Sequence, residues 1–338
     1  MKLNKGEWSE FFAFLKMIFH PHIYFGDDSL EVKSSNDYLT VYELQHIGSN
    51  KAYVLDNGLL KIFDGKNTIV LGNIPDLISK DLIDTIKDSI QKTKKRTFDI
   101  NQPQLLELLK IKSFKGDSKT KPDILISHKL QGKYTPFDPW GIKSFLGGPP
   151  TLLNAATTTN FVYEIINFNG LINTINNIST RYKVKDRVKT IYQTGASLKF
   201  SHCENQIFQE NLRKTDSLMP EYLADILLKY YLGQGRHLLE LVDTDLIRIR
   251  MTDFLKAALL GMFPSIPWDG KYNCSGLLII RSKGDLLLYH VIKDSDLKDY
   301  LFKNTRLETA STTKHKFGSI YQENGKYYIK LNLQIRNR

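Results

Sequence analysis

The sequence predicts an α+β protein, one continuous domain over residues 1–338 with insertions. Three observations predict it. Short strand patterns around an Asp-Asn-Gly turn signal occupy the region before residue 75. From Thr151 to about Phe263 apolar residues recur mostly at helical spacing. The tail returns to β patterning and ends in a hairpin around Glu323-Asn324-Gly325.

The elements follow in order. Glu7 to His20 reads as a helix, since Trp8, Phe11, Phe12, Leu15, Ile18 and Phe19 share a face, Asn4 can cap it and Pro21 stops it. Tyr38 to Ile47 alternates as a strand. Lys51–Leu55 and Leu59–Phe63 flank the Asp56-Asn57-Gly58 turn, and Thr68–Leu71 adds a strand. Helical patterns run from Pro75 to Thr93 and from Gln102 to Ile111. A polar loop, Lys112 to Lys121, opens onto a short strand at Asp123–Ser127. A loop with Gly132, Pro136 and Pro139 precedes a second short strand, Gly141–Phe145, and Gly147-Gly148-Pro149-Pro150 breaks the chain. After the helical region come strands at Leu277–Arg281 and Leu286–Ile292, then the hairpin of Ser319–Gln322 with Tyr327–Ile335.

Composition narrows the function. A hydrophobic content of 41% is enough for a sizeable core. Lys plus Arg number 47 against 36 for Asp plus Glu, a net charge of +11, with a pI near 9.3. Such a field draws polyanions, nucleic acid foremost. Cys203 and Cys274 stand far apart without a CxxC pattern, which excludes a disulfide framework or a cysteine zinc site and fits buried thiols in a reducing compartment. The apolar run Phe11–Leu15 is too short and too charged at its flanks for a signal peptide, and no stretch has the length of a membrane span. The expectation is a cytoplasmic protein with no membrane partner. Gly233-Gln234-Gly235 lacks the third glycine of a dinucleotide site, and His20, His22 and His202 read as helix-end or core residues.

The chemistry is concentrated in Pro122-Asp123 and Gly141-Ile142-Lys143. Phosphodiester hydrolysis uses a divalent cation on carboxylate and water oxygens, with a lysine to orient the water and offset charge. Asp123 and Lys143 would lie on adjacent strands. Positions 141 and 143 of a strand share a face, so an acid at 141 would join the lysine. Position 141 is glycine, and one carboxylate is left unplaced. Glu10 and Glu7, three apart on the first helix, are candidates for it, as is Asp138.

Three stretches carry a family resemblance: Asn4-Lys5-Gly6-Glu7-Trp8-Ser9-Glu10, the run Lys143-Ser144-Phe145-Leu146-Gly147-Gly148-Pro149-Pro150-Thr151-Leu152-Leu153-Asn154-Ala155 continuing through Thr159-Asn160-Phe161, and the tail Tyr327 to Arg336. They resemble the HpaII-type restriction endonucleases from near the first residue to near the last. The resemblance implies a PD-(D/E)xK nuclease core, a central mixed sheet flanked by helices with additional helical and β segments. It implies a catalytic core over about 1–165 and a helical and β-rich DNA-recognition part over about 166–338. It further implies Mg²⁺, with Mn²⁺ substituting, and specific cleavage of double-stranded DNA, CCGG being the family's best-known target. Asp123 is then the metal-binding acid and Lys143 the catalytic lysine; the metal site is assigned to Asp123, Glu10 and Ile142, with Glu7 as a further catalytic candidate. Lys5-Gly6 then Glu10 is also similar to the first-helix glutamate of archaeal Holliday-junction nucleases, where it helps bind metal.

The expected DNA contacts are Lys112, Lys115, Lys119, Lys121, Ser144, Asn154, Arg181, Arg236, Lys314 and Lys316. Lys183, Lys185, Arg187 and Lys189 form a second basic cluster, Arg213 and Lys214 are further cations for guanine, and Thr309–Lys316 reads as a DNA-contacting loop. A homodimer suits a palindromic site, and a cognate DNA methyltransferase would act on the same site without contact. Two other readings stay open: a structure-selective repair or recombination nuclease, and a DNA-binding module in which Gly141 marks a lost active site.

Overall fold

The computed structural model describes residues 1–47, 49–111, 114 and 120–338. Its main elements are α1 (Lys5–Phe19), β1 (His22–Phe25), β2 (Tyr38–His46), β3 (Ala52–Asp56), β4 (Leu59–Phe63), β5 (Thr68–Asn73), α2 (Lys80–Lys92), β6 (Ile124–Leu130), β7 (Lys133–Ser144), β8 (Asn160–Ile166), α3 (Lys183–Gln193), β9 (Ser197–Cys203), α4 (Gln206–Thr215), α5 (Met219–Leu232), α6 (Asp245–Leu260), β10 (Gly276–Ile280), β11 (Leu286–His290), α7 (Asp294–Lys303), β12 (Ile320–Glu323) and β13 (Lys326–Asn332). The α+β class is observed. Among the described residues no helix is long and apolar enough to cross a membrane.

The chain forms two compact units. The first comprises Met1–Pro150 and Tyr272–Tyr300, the second Thr151–Lys271 and Leu301–Arg338. In the first unit a mixed sheet runs β1-β11-β10-β7-β6-β2-β3-β4-β5, and β1 also pairs with β2. The central sheet is therefore mixed, with both parallel and antiparallel pairs, and it closes into a barrel. The reason lies in β2. One of its edges is shared, with β1 along His22–Tyr24 and with β3 at Glu43 and Leu44, while β6 takes the other edge. A register shift between Val41 and Glu43 adds the local twist such a division needs. Gly276 permits close approach inside this arrangement, since a Cβ there would lie 2.4 Å from the Tyr289 carbonyl oxygen and 2.5 Å from Trp140.

Helix α1 begins with a capping box. Asn4 Oδ1 accepts from the Glu7 N–H at 3.0 Å, and the Glu7 carboxylate accepts from the Asn4 N–H at 2.7 Å. Trp8, Phe11, Phe14, Leu15 and Ile18 bury against the sheet and against Ile83, Ile86 and Ile90 of α2. The helix expected from Pro75 to Thr93 is two helices, Ile74–Leu77 and α2, because Ser79 turns extended and caps the second.

Strand β7 corrects the loop expected around Gly132, Pro136 and Pro139. Gln131 and Gly132 form the hairpin turn from β6, and both prolines lie within the strand. Pro136 is accommodated by a bulge opposite Ser127: the register shifts between Ile126 and His128, Phe137 takes a positive φ of 46°, and its N–H donates to Ser127 Oγ at 3.1 Å. Three strands, Thr151–Leu153, β8 and β9, interrupt the region expected to be mostly helical. β8, flanked by β9 and β13, is apolar along nearly its whole length and buried on both faces, so it lacks the alternation that marks a half-exposed strand.

In the second unit a sheet runs β9-β8-β13-β12, with α5 packed on β9 and contacting α3, α4 and α6. Asn160 and Asn332, both fully buried, pair where β8 begins and β13 ends, with Asn332 Nδ2 donating to Asn160 Oδ1 at 2.7 Å. A three-stranded sheet joins Thr151–Leu153, Ile335–Asn337 and Thr305–Leu307. Gly233, the first glycine of the Gly-Gln-Gly run, is the left-handed C-cap of α5.

Candidate active site

The Pro122-Asp123 step sits at the mouth of the β6–β7 hairpin. The Asp123 N–H donates to the Trp140 carbonyl at 2.8 Å, and Asp123 Oδ2 accepts from the Ile142 N–H at 2.6 Å. The carboxylate is thus aimed by the strand that carries Lys143. Ile142 offers the site its main chain, for its side chain is buried in the core. On β7, Gly141 and Lys143 share the other face. A Cβ at 141 would find only ordinary contacts, Leu277 Cδ1 and the Lys121 carbonyl oxygen at 3.8 Å and Cys274 Sγ at 3.9 Å. Position 141 has room for a Cβ in ordinary contact with these three neighbours.

Electrostatics bring Glu10 into the same place. Burial, then the charge of Asp123, push the Glu10 carboxyl up to about 8, with Lys143 pulling the other way. Asp123 is raised too, by burial against the opposing pull of Lys143 and the Ile142 N–H. Glu10 Oε2 is buried with no hydrogen-bond partner. Two carboxyl groups, one with an orphaned oxygen, each disfavoured in its charged form, are the donor set that a divalent cation relieves. Glu7 also raises Glu10 by its charge, but its own carboxylate holds the helix cap.

Lys121 and Cys274 complete the surroundings. Burial, with the like charge of Lys143, brings the Lys121 ammonium down to about 8. Burial, with the Asp123 charge, pushes the Cys274 thiol up to about 12, so it is a small apolar wall and not a nucleophile. Neither neighbour follows from spacing alone: Lys121 reads as a loop lysine, and Cys274 is 151 residues from Asp123 in the sequence.

Asp138 is elsewhere engaged. His128 Nε2 lies 2.8 Å from its Oδ2 and His290 Nε2 3.5 Å from the same oxygen, while Ser275 Oγ donates to Oδ1. Burial opposes its charge, but the hydrogen bonds from His128, His290 and Ser275 outweigh it and hold the carboxyl well below the usual range. These three buried groups resemble a metal triad. The tautomer argues otherwise: His290 Nδ1 accepts the Ile292 N–H at 3.0 Å, which places the ring proton on Nε2 and makes that atom a donor to Asp138. Sequence spacing gives no sign of this cluster, because its members come from β6, β7 and β11.

The expected DNA contacts divide. Lys112, Lys115 and Lys119 lie outside the described residues. Ser144 ends β7 and its Oγ accepts from the Leu146 N–H. Asn154 is exposed in the second unit. Arg181 and Arg236, distant in sequence, line one cavity of about 670 Å³ with Lys183, Lys185 and Thr309–Thr313. An adjoining cavity of about 410 Å³ shares Lys183, Thr312 and Thr313 and adds Lys316 and Lys330. The segment expected as a loop contains a short Ser311-capped helix, Thr312–His315, with Lys314 exposed on it. Arg187 leaves the list of phosphate contacts, since its guanidinium is buried on the main-chain oxygens of Asn176, Ile178 and Gly318. Lys214 is bound to the Trp268 carbonyl, and Arg213 is exposed at the end of α4.

Comparison with known proteins gives the family. The family model for HpaII restriction endonuclease matches residues 4–337. The type II restriction enzyme HpaII of Haemophilus parainfluenzae is 32% identical, over 98% of each chain. No solved structure matches.

Proposed function

Because the chain belongs to the HpaII restriction endonuclease family and is a site-specific endodeoxyribonuclease acting on double-stranded DNA, we propose that it cuts at a CCGG-type site with Mg²⁺, Mn²⁺ substituting, on a PD-(D/E)xK core in its first unit. The observation that carries the active-site assignment is the convergence of Asp123, Lys143 and Glu10, the last with a buried, unpartnered oxygen.

In this reading Asp123 and Glu10 hold the cation, and Glu10 takes the place of the acid missing at Gly141. The cation supplies Lewis-acid stabilisation of phosphate charge and a water of lowered pKa. The Ile142 N–H keeps the Asp123 carboxylate in one orientation. Lys143 positions the attacking water and offsets the charge that builds on the phosphate oxygens, which is where an electrostatic group lowers the barrier most. Lys121 adds positive charge on the same side. The second unit supplies DNA recognition, its basic cavities gripping the backbone. A homodimer would match a two-fold site, and a cognate methyltransferase would protect host DNA at that site without touching this protein.

The test is digestion of a fully sequenced plasmid with Mg²⁺ and with excess chelator, followed by mapping of the ends. Metal-dependent cutting at one short palindrome is expected. Cutting that persists in chelator overturns the metal assignment. Cutting only of branched substrates would favour a structure-selective nuclease, and no cutting at all would favour a binding module.

A further inference from the structure

We infer that Arg236 reads a guanine edge in the bound duplex. This rests on the endonuclease reading and goes beyond it by separating one base-reading residue from the phosphate-gripping cations around it.

Arg236 lines the larger basic cavity with Arg181, Lys183 and Lys185. One acid, Glu308, serves three guanidinium groups there. Arg306 NH2 lies 2.7 Å and Arg336 Nε 3.0 Å from its oxygens, whereas Arg236 NH2 lies 3.8 Å away. The first two are closely paired, and Arg236 is held loosely. Arg236 is also the most exposed of the three, at 49%. Its backbone is nonetheless fixed: its N–H donates to Glu240 Oε2 at 2.8 Å, its carbonyl accepts from the Leu307 N–H at 2.8 Å, and His237 bridges to Arg306. A planar fork on a pinned backbone, pre-oriented by a carboxylate that does not saturate it, suits bidentate donation to two adjacent acceptors. Guanine presents such a pair, O6 and N7, in the major groove.

The neighbouring lysines differ in kind, while Arg181, the other guanidinium of the cavity, stands over the Tyr182 ring at 5.5 Å. Lys185 Nζ stands 4.0 Å from the centre of the Tyr230 ring, and Lys183 lines both cavities. A lysine is a point charge without the planar fork, suited first to neutralising phosphate. The same cavity therefore holds a fork for a base and point charges for the backbone.

The experiment measures equilibrium binding of the full-length chain to a duplex carrying its mapped site and to the same duplex with 7-deazaguanine in place of each guanine, one at a time. At one guanine the wild type should lose about tenfold to a hundredfold, the worth of one bidentate pair. Arg236→Ala should lose a similar factor on the natural duplex and lose nothing further on that analogue. Arg236→Lys, which keeps the charge but lacks the planar fork, should lose part of that factor and part of the analogue penalty with its salt dependence intact, which keeps the test valid if the alanine variant folds poorly. Lys185→Ala should weaken all duplexes alike and lower the salt slope by about one. If Arg236→Ala weakens every duplex equally and keeps the wild-type penalty for each analogue, Arg236 contacts phosphate and the inference is overturned. If the wild type prefers no duplex, the endonuclease reading falls and takes this inference with it.

Discussion

The Ile142 N–H donates to Asp123 Oδ2 at 2.6 Å, so the strand bearing Lys143 also fixes the carboxylate it works with. In the proposed mechanism Asp123 and Lys143 form one unit, tied by this bond from Ile142, nineteen positions along the chain from Asp123. Removal of either should therefore act on turnover. Asp123→Ala and Lys143→Ala are each expected to lower the cleavage rate by about a thousandfold or more. Specific binding should survive in both, and the double variant should be scarcely worse than either single one. Single-turnover cleavage beside equilibrium binding checks this; cutting within about tenfold of wild type would remove the residue from the catalytic unit.

Glu10 and Gly141 should be exchangeable sources of one carboxylate. Glu10→Ala is expected to lower cleavage by roughly a hundredfold or more. Adding Gly141→Glu should restore at least about tenfold of it, because a Cβ at 141 meets only contacts of 3.8–3.9 Å. Cleavage rates of the single and double variants at fixed Mg²⁺ decide. Full activity in Glu10→Ala would place the missing acid elsewhere.

Glu7 should affect folding and not chemistry. Its carboxylate closes the capping box of α1, so Glu7→Ala is expected to cost about 1 kcal/mol of stability. Urea denaturation measures that loss, and turnover of the folded variant should stay within about threefold of wild type.

The Glu10 carboxyl gives a pH signature in the metal-free protein. Its folded value, about 8, is raised above the ordinary 4.5. Between those values the folded state holds a proton that the unfolded state releases. The stability of the protonated form is present below pH 4.5 and is lost as pH rises toward 8. His46, lowered to about 4 by burial, acts with the opposite sign below pH 6.5. Lys121, brought down to about 8, also acts with the opposite sign as pH nears that value, so the clean window is about pH 6.5–7, where denaturation midpoints should fall for wild type and stay flatter for Glu10→Gln. Mg²⁺ should raise the wild-type midpoint most at the alkaline end, since binding must displace that proton.

Asp138 is expected to be structural. It is 8% exposed and accepts from His128 and Ser275, with His290 at 3.5 Å. Asp138→Ala leaves buried donors without an acceptor and should cost about 2–4 kcal/mol. Calorimetric titration with Mn²⁺ should show unchanged affinity in the folded fraction, and a lost metal site would contradict the assignment.

Local signals were legible in the chain. Asn4 and Pro21 mark the ends of α1, and Asn57-Gly58 and Asn324-Gly325 both take the positive φ that their hairpins require. Strand β8 was illegible, because burial on both faces erases alternation. The length of β7 was hidden by Pro136 and Pro139, whose bulge depends on the Ser127 hydroxyl across the hairpin.

Residue types and short spacings alone determined the α+β class and a basic composition suited to DNA, since turn chemistry, charge and strand alternation are local properties, while the proposed pairing of Asp123 with Lys143 came from the family resemblance. That Glu10 feels the charges of Asp123 and Lys143, that Asp138 belongs to His128 and His290, and that Arg181 and Arg236 line one cavity were decided only by the tertiary structure. Burial and charge–charge interaction depend on distance in space, and a helix at residue 10 meets a hairpin at residue 123 only after the sheet between them has closed.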